Sequence, residues 1–443
     1  MSKTKVTTKH VNLVHHLIAS AIFLVFTSCS VQRPDQIVKQ NDVERIIKTL
    51  SSDDMQGRGV FTPGIEKAAR FIESEFKATG LKPLNGATSF RQDFSMTRIT
   101  PSSFKVSING KDVEKDNIFF IADKASLSWT KPSDVEIQYI KANQSFASRY
   151  KAIMQLNKPV LVYVDESLFS AFKRFRDHYM DERVVESLKS TEAVFVLGTE
   201  ENVSSFNVNI ANTIDKAPLF NVAGMLPGKS KANEIVIFSG HYDHLGIIDA
   251  VEGDSIANGA DDDASGVTAV ISLAKYYKKL NNNERTLIFV AFTAEEEGGI
   301  GSQYFSKLQD PEQVVAMFNI EMIGKDSKFG KNTAFITGFE KSDFGEILQR
   351  NLQGTEFKFH PDPYPEQNLF YRSDNATLAA QGVPAHTIST DQIDKDEFYH
   401  TVNDEFSTLN VANITSTIKA IALSSRSIVS GKDTPKRIEK LKE

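Results

Sequence analysis

Residues 234–298 read EIVIFSGHYDHLGIIDAVEGDSIANGADDDASGVTAVISLAKYYKKLNNNERTLIFVAFTAEEEG. The runs at 234–239 and 286–292 are short and apolar, which is typical of buried strands. Between them, the apolar side chains from Val267 to Tyr277 recur at helical spacing. A strand, a helix and a second strand in this order predict two parallel strands joined by a crossover connection. The stretch therefore predicts an α/β fold whose central mixed sheet is largely parallel, with helices on both faces.

The rest of the chain extends this pattern in both directions. We predict helices that begin near Val43 and at Gly64, and the second should run to Thr79 because Gly80 follows it. Further strands are predicted at 314–320, 333–336 and 385–389. Residues 103–217 differ in character, because short β-rich runs at 104–108, 135–139, 159–164 and 193–197 follow one another without a catalytic cluster.

These patterns predict six segments. They are a signal peptide (1–28), a tether (29–40), the N-terminal part of the main domain (41–102), an inserted β-rich module with one or two helices (103–217), the main catalytic domain (218–430) and a polar C-terminal tail (431–443).

Composition narrows the functional class. The 443 residues are 40% hydrophobic and 24% charged, as expected for a folded globular protein. The net charge of −6 leaves no basic footprint of the kind that nucleic-acid binding requires. We therefore expect no nucleic-acid partner.

The N-terminus has the pattern of an export signal. Three lysines within the first nine residues precede the short apolar run 17–26, which is well short of the roughly 20 residues that span a bilayer. Cys29, the only cysteine, follows Phe26-Thr27-Ser28. This segment resembles a bacterial lipobox, which implies lipid attachment at Cys29 and a location in the cell envelope. We expect this to be the outer membrane of a Gram-negative bacterium. The alternative is an ordinary signal peptide with an incidental cysteine.

Metal-binding residue types follow the predicted strands. In open α/β sheets, loops at the carboxyl ends of strands converge on one edge and form the site. The candidates in these loops are His241, Asp243, the run Asp261-Asp262-Asp263, the run Glu295-Glu296-Glu297, Glu321 and His400.

So many carboxylates and imidazoles at one edge need a positive charge among them. Two histidines and three carboxylates suit zinc, and a bridging carboxylate can hold two ions about 3.5–4 Å apart. Each motif alone has an ordinary explanation; Asp261-Asp262-Asp263, for example, could be an acidic turn or a calcium loop. The residues alone do not distinguish among the three adjacent glutamates.

The ordered motifs resemble those of the M28 zinc aminopeptidases. The motifs are His241-Tyr-Asp243, Gly259-Ala-Asp-Asp262-Asp-Ala-Ser-Gly266, Ala294-Glu295-Glu296-Glu-Gly298, Asn319-Ile-Glu321-Met-Ile-Gly324 and Tyr399-His400-Thr401. The likeness runs from Asn221 to about Asp404 and includes the lead-in from Leu50 to Gly59. It implies the zinc-exopeptidase type of αβα fold and an aminopeptidase that acts on peptides with a free N-terminus.

The resemblance also implies individual roles. Asp262 would bridge two zinc ions, with His241 and Glu321 completing one ion and Glu296 and His400 completing the other. Asp243 would accept the second N–H of His241. Glu295 would be the general base, and Tyr399 would donate a hydrogen bond to the oxyanion.

Two positions depart from the family pattern. Glu321 stands where aspartate is commoner, which lengthens one ligand arm, and Asn375 stands where a histidine is common. We expect Asn368 to Asn375 to form one wall of the substrate pocket. Alternative functions on the same fold are a carboxypeptidase, a dipeptidase, a glutaminyl cyclase or a catalytically silent surface-binding lipoprotein.

Overall fold

The structure is a computed structural model that describes residues 1–2, 34–131, 133, 135–156, 158–188, 192–199 and 202–441. The predicted signal segment from residue 3 onward and Cys29 lie outside these residues. Within the described ranges, each helix is too short or too polar to cross a bilayer.

The strands are β1 (Lys82–Pro83), β2 (Arg91–Ile108), β3 (Lys111–Asp112), β4 (Ile118–Ala122), β5 (Ser126–Trp129), β6 (Glu136–Ile140), β7 (Val160–Asp165), β8 (Arg183–Val185), β9 (Glu192–Gly198), β10 (Phe206–Leu226), β11 (Lys231–His241), β12 (Gly246–Val251), β13 (Asp254–Ala257), β14 (Arg285–Phe292), β15 (Val314–Ile320), β16 (Thr333–Ile336), β17 (Lys358–Pro361) and β18 (Ala385–Ser389). The α-helices are α1 (Pro34–Ile37), α2 (Gln40–Leu50), α3 (Pro63–Thr79), α4 (Phe146–Met154), α5 (Phe169–Met180), α6 (Gly266–Leu280), α7 (Ile300–Lys307), α8 (Phe344–Asn351), α9 (Ala376–Ala380), α10 (Val411–Ser424) and α11 (Arg426–Val429).

The main sheet has the order β17-β16-β18-β15-β11-β14-β10-β2-β3. Its centre is parallel, because β11 pairs in parallel with β14 and β15, and β15 pairs in parallel with β18. Antiparallel pairs flank this centre, at β16–β18 and at β10–β14. The parallel pairing of β11 and β14 around α6 and the predicted α/β class with a mixed sheet are therefore confirmed.

Helices cover both faces of the sheet. One core contains side chains of α2, α3, α6, α8 and α10, packed against the apolar faces of the central strands. The second, smaller core lies on the other face and includes Phe305 of α7 and Leu378 of α9. Burial on both faces explains why β14 is buried along its whole length and apolar from Leu287 to Phe292.

The first helices pack earlier than the sequence predicted. Helix α2 begins at Gln40, three residues before Val43, and Val38 is already buried in the main core. Among the described residues, the chain thus packs from Pro34 onward, so the predicted tether to residue 40 is too long. The reason is that Ile37 and Val38 form one short apolar pair, which gives no periodic signal.

The inserted module has its own sheet, β4-β9-β7-β6, accompanied by α4 and α5. It is joined to the main sheet by β2 and β10, which pair with each other along 17 residue pairs. The predicted limits, 103 and 217, therefore fall inside these two strands rather than between elements. The composition changes where side chains pass from the main domain into the inserted module. The backbone hydrogen bonds between β2 and β10 continue across that point.

The predicted polar tail packs against the main domain as far as residue 441. Ile438 is buried in the second core, and its N–H donates to Gly382 O at 3.2 Å. Arg437 Nη1 donates to Pro311 O at 2.9 Å and to Val314 O at 2.8 Å. Ile438 is an apolar contact within a charged segment. The polar composition of the segment therefore gives no indication that it packs.

Candidate metal centre

The candidate ligands lie at one edge of the sheet. His241 ends β11, Glu295 and Glu296 follow β14, and Glu321 follows β15. Because these strands are parallel neighbours, their carboxyl ends meet at the same edge. Asp262 comes to this edge from the segment that precedes α6.

Asp262 lies between two histidines. Its Oδ1 is 3.0 Å from His241 Nε2, and its Oδ2 is 3.4 Å from His400 Nε2. His400 Nε2 is also 3.1 Å from Glu296 Oε2. His241, Asp262 and Glu296 each offer one donor atom within 4.8 Å of the others. The two oxygens of Asp262 thus contact different imidazoles, as a carboxylate shared by two ions would.

The donor set fits zinc. Imidazole nitrogens and carboxylate oxygens are ordinary zinc donors. Among the described residues, Nε2 of His241, His244 and His400 is buried without a hydrogen-bond partner. A buried polar atom left unsatisfied costs about 1–3 kcal/mol, so three such atoms at one place call for a ligand. The short contacts from these nitrogens to Asp262 and Glu296 do not have the geometry of hydrogen bonds. A cation between the imidazoles and the carboxylates would satisfy the nitrogens.

Electrostatics at Asp262 agree with this arrangement. Burial alone would raise the pKa of Asp262, but the imidazoles of His241 and His400 hold it well below its usual range. Asp262 is therefore a carboxylate, the form that binds a cation.

The flanking aspartates position the backbone. The carboxylate of Asp263 accepts the N–H of His241 at 3.1 Å and that of Met322 at 3.1 Å. Asp261 Oδ1 accepts the N–H of Gly324 at 2.7 Å. These contacts fix neighbouring loops, and all three aspartates are buried, so the run is not a solvated turn.

Glu321 lines the same cleft as Asp262 and Glu295. Its Oε2 accepts hydrogen bonds from Ser373 Oγ and, at 3.5 Å, from Asn319 Nδ2. It is not within the tight group formed by His241, Asp262 and Glu296. Desolvation raises the pKa of Glu321 to about 7, and the nearby imidazole of His241 opposes that rise.

The three adjacent glutamates have different surroundings. Glu295 lines the cleft, Glu296 contacts His400, and Glu297 is exposed. Ala294, with φ 53°, turns the chain immediately before them. Burial raises the pKa of Glu295 well above its usual range; His241 opposes the rise and Glu321 adds to it. Glu295 is thus the one that combines access to the cleft with a raised proton affinity.

Asp243 contacts two backbone groups with its carboxylate. Oδ1 accepts the N–H of Glu295 at 3.1 Å, and Oδ2 accepts that of Glu296 at 3.3 Å. His241 Nδ1 is nearer to the carbonyl oxygen of Asp243, at 3.2 Å, than to its carboxylate, at 3.9 Å. The predicted carboxylate–imidazole contact is therefore replaced by a carbonyl contact, because the carboxylate is engaged by the glutamate loop.

Tyr399 and His400 form the outer edge of the site. Their rings stack with centroids 3.8 Å apart, and Tyr399 both lines the cleft and is 41% exposed. Asn375, by contrast, is fully buried away from the cleft. Its Nδ2 donates to Phe370 O at 2.9 Å and to Ala385 O at 3.1 Å. Within the predicted wall 368–375, the cleft is lined by Leu369, Arg372 and Ser373.

Sequence reasoning assigned no role to His244. Its ring is 2% exposed, with Nδ1 2.8 Å from Glu296 Oε1 and 3.7 Å from Asp262 Oδ2. The signal was present, since a second histidine three residues after His241 belongs to the same strand-end loop.

Arg58 was also missed, although it lies within the lead-in that resembles the family. Its guanidinium is fully buried and donates to five carbonyl oxygens at 2.6–3.2 Å. Three of these belong to Tyr242, Gly259 and Asp262. Arg58 thus joins the loop after His241 to the loop that carries Asp262.

Curated relatives match part of the chain. A probable zinc metalloprotease of Pyrenophora teres f. teres is 30% identical over 128 residues, which is 28% of this chain and 26% of that protein. The vacuolar membrane protease of Schizosaccharomyces pombe is 32% identical over 108 residues, 24% of this chain and 12% of that protein. The aligned segment spans about a quarter or less of the length of these relatives.

Two solved structures share the fold. The aminopeptidase from Aneurinibacillus sp. strain AM-1 aligns with a TM-score of 0.54 and 18% identity, over 92% of this chain and 96% of that one. BSAP, a zinc aminopeptidase from Bacillus subtilis, aligns with a TM-score of 0.55 and 15% identity, over 90% and 97%. The sequence model described as peptidase family M28 matches residues 221–424, which contain the loops described above and His400. Over residues 221–424 the chain is therefore similar to peptidase family M28.

Proposed function

We propose that this chain is a two-zinc exopeptidase that removes N-terminal residues from peptides. The observation that carries the proposal is the position of Asp262, whose two carboxylate oxygens contact His241 and His400 separately. Zinc supplies Lewis-acid stabilisation of the reacting carbonyl oxygen and makes the attacking water more acidic.

The proposed ligands follow from this arrangement and from the family likeness. Asp262 would be shared, with His241 and Glu321 on one side and Glu296 and His400 on the other. Support comes from the contact of His400 with Glu296 and from the shared cleft of Glu321 and Asp262. His244, which contacts Glu296, would orient that carboxylate by a hydrogen bond from Nδ1.

Glu295 is the proposed general base. It would accept a proton from the attacking water and donate it to the nitrogen of the leaving amine as the C–N bond breaks. Burial raises the pKa of Glu295, which is the direction that favours a group that must both accept and release a proton. Asp243 holds the backbone of Glu295 and so fixes the direction of this side chain.

Tyr399 is the proposed donor to the oxyanion. Burial and the surrounding carboxylates raise the pKa of Tyr399, so its hydroxyl keeps its proton and can donate it in a hydrogen bond. A free α-ammonium group would be recognised by carboxylates that line the cleft near the metal centre.

The test compares free and N-blocked aminoacyl p-nitroanilides, with and without a chelator. We expect release that depends on metal and is confined to free-amine substrates. Glu295→Gln should lower kcat by about 10²- to 10⁴-fold, the usual contribution of a general base. Glu297→Gln is the matched control, because Glu297 is exposed beside it, and it should keep wild-type turnover.

Several outcomes would contradict the proposal. Equal cleavage of blocked substrates would exclude an aminopeptidase, and release from the C-terminus would indicate a carboxypeptidase. Unchanged turnover of Glu295→Gln would exclude its role as base. Zinc content is measured in parallel, and a value near two ions per chain is expected.

We also propose that the chain is exported and lipid-anchored through Cys29. The proposal rests on the basic N-terminus, the short apolar run and the lipobox-like segment before Cys29. Labelling with a palmitate analogue in a bacterial host should modify the wild type and not Cys29→Ser, which should no longer fractionate with membranes. Membrane fractionation of Cys29→Ser equal to wild type would contradict the anchor.

A further inference from the structure

The cleft that contains Glu295 extends beyond the metal centre to an acidic end. The space within it, including the open solvent at its mouth, is about 750 Å³. Its apolar walls are formed by Met322, Phe335, Leu369 and Ile393, and Asp391 also lines it. A cleft lined by both apolar side chains and a carboxylate has the character of a binding pocket for a long side chain with a polar end.

Asp391 has an unsatisfied oxygen. It follows β18 by two residues and is 7% exposed. Its Oδ1 is buried and has no hydrogen-bond partner among the described residues. A buried carboxylate oxygen without a partner is costly, and a cationic donor satisfies it best.

The cation nearest to this group is already engaged. Asp391 lies with Asp261 and Asp396 in a cluster whose oxygens are within 4.8 Å of one another. Lys325 Nζ forms an ion pair with Asp396 and lies 3.6 Å from Asp261 Oδ2. Lys325 thus pairs with two members of this cluster, Asp396 and Asp261. Asp391 is the member that remains without an ion pair in the described part of the chain.

The other cation in the cleft does not balance Asp391. Arg372 is exposed, and its Nη1 donates to Gln367 Oε1 at 3.3 Å. Among the described residues, no lysine or arginine nitrogen lies within 4.0 Å of Asp391. Asp391 is therefore the carboxyl group at this end of the cleft with which a cationic ligand can pair.

We infer that the cleft selects peptides whose N-terminal residue is lysine or arginine, with the Asp391 carboxylate pairing with the cationic end of that side chain. The methylene stem of either residue would pack against Met322 and Phe335, as such stems do on apolar surface. This inference rests on the proposed function, since it takes the reacting carbonyl to lie at the metal centre.

The experiment uses the full zinc-loaded chain and lysyl, arginyl, norleucyl and leucyl p-nitroanilides. Norleucine has the stem of lysine without the ammonium group, so it isolates the contribution of charge. We expect kcat/KM for lysyl to exceed that for norleucyl by at least about tenfold, and Asp391→Asn to bring this ratio to about one. Asp394→Asn is the control, because Asp394 is exposed and pairs with Lys328 and Tyr364; it should keep the wild-type ratio.

The outcomes separate the two proposals. If no aminoacyl substrate is cleaved in a metal-dependent way, the proposed function fails. If leucyl and norleucyl substrates are cleaved as well as lysyl by the wild type, only the preference for basic residues fails, and this result needs no variant to fold. If Asp391→Asn slows all four substrates equally, Asp391 contacts a feature common to them all, and the inference is overturned.

Discussion

The metal centre and the acidic end of the cleft both bury carboxylates, but they balance the charge differently. At the metal centre, Asp262 lies between imidazoles, and its pKa is well below the usual range. At the acidic end, burial raises the pKa of Asp391 to about 8, and the neighbouring carboxylates Asp261 and Asp396 add to the rise. The carboxyl group of Asp262 is thus held as an anion by neighbouring imidazoles, whereas that of Asp391 has no ion-pair partner within the ranges that the structure describes. The first arrangement suits a resident metal, and the second suits a ligand that comes and goes.

Replacement of Arg58, which is not a proposed metal ligand, should have the largest effect on the region around the metal centre. Arg58→Met leaves five carbonyl oxygens without their donor and removes a buried positive charge beside Asp262. We expect the free energy of unfolding to fall by about 3–5 kcal/mol, as for other buried ionic groups that lose a partner. Urea unfolding monitored by circular dichroism measures the change.

Arg70→Met is the control for this substitution. Arg70 is exposed on α3 and its nearest carboxylate, Glu66, is 4.0 Å away. Its replacement should change the unfolding free energy by less than about 0.5 kcal/mol. Equal stability of the Arg58 and Arg70 variants would contradict the bridging role of Arg58.

His244 tests how far the donor set at the metal centre extends. His244→Gln should weaken zinc binding by about 10- to 100-fold, because Glu296 loses the partner that orients it. Zinc affinity is measured by competition with a chromogenic chelator. The control, His178→Gln, lies exposed on α5 in the inserted module and should bind zinc like the wild type. Wild-type affinity in His244→Gln would show that His244 is only a neighbour of the site.

The pH dependence of stability tests whether the carboxyl group of Asp391 differs from that of Asp262 as described. Its pKa is about 8 in the folded chain against 3.8 as the ordinary value, so the unfolded chain releases this proton at lower pH than the folded chain does. Asp391 therefore costs no stability below pH 3.8, and its cost grows as the pH rises towards 8. Asn cannot ionise, so Asp391→Asn should be more stable than the wild type by about 1–2 kcal/mol at pH 8.

The same comparison at pH 5 supplies the check. The advantage of Asp391→Asn should shrink there, because little of the cost has developed, whereas Lys325 stays charged at both values. Urea unfolding of the metal-free chain at the two pH values measures it. An advantage that is the same at pH 5 and pH 8 would assign the effect to packing. A residue that lowers stability at neutral pH without serving the core is typical of a binding site.

The sequence predicted the central architecture well, for a physical reason. The predicted strands at 314–320, 333–336 and 385–389 match β15, β16 and β18, because strands buried on both faces are rich in apolar residues. Helix α3 ends as predicted, since Gly80 takes a φ of 78° there. The parallel pairing followed from a single helix between two strands.

Other features depended on partners far away in the chain. Backbone pairing carries β2 and β10 past the predicted limits of the inserted module, and pairing is not visible in composition. The residue type alone does not distinguish Arg58 from the other arginines. In the fold, its guanidinium contacts carbonyl groups about 200 residues away. Ile438 anchors the tail through a core formed by other elements.

By itself, the sequence determined which residue types reach the edge of the sheet that carries the candidate ligands. Local patterns of apolar and polar side chains indicate the strands and the loops that follow them. The tertiary structure decided which of the three glutamates faces the cleft, which oxygen of Asp243 meets His241, and that Asp391 lines the cleft without an ion pair. Those outcomes depend on the direction of a side chain and on the groups that desolvate it. Both are set by packing between segments that are distant in the chain.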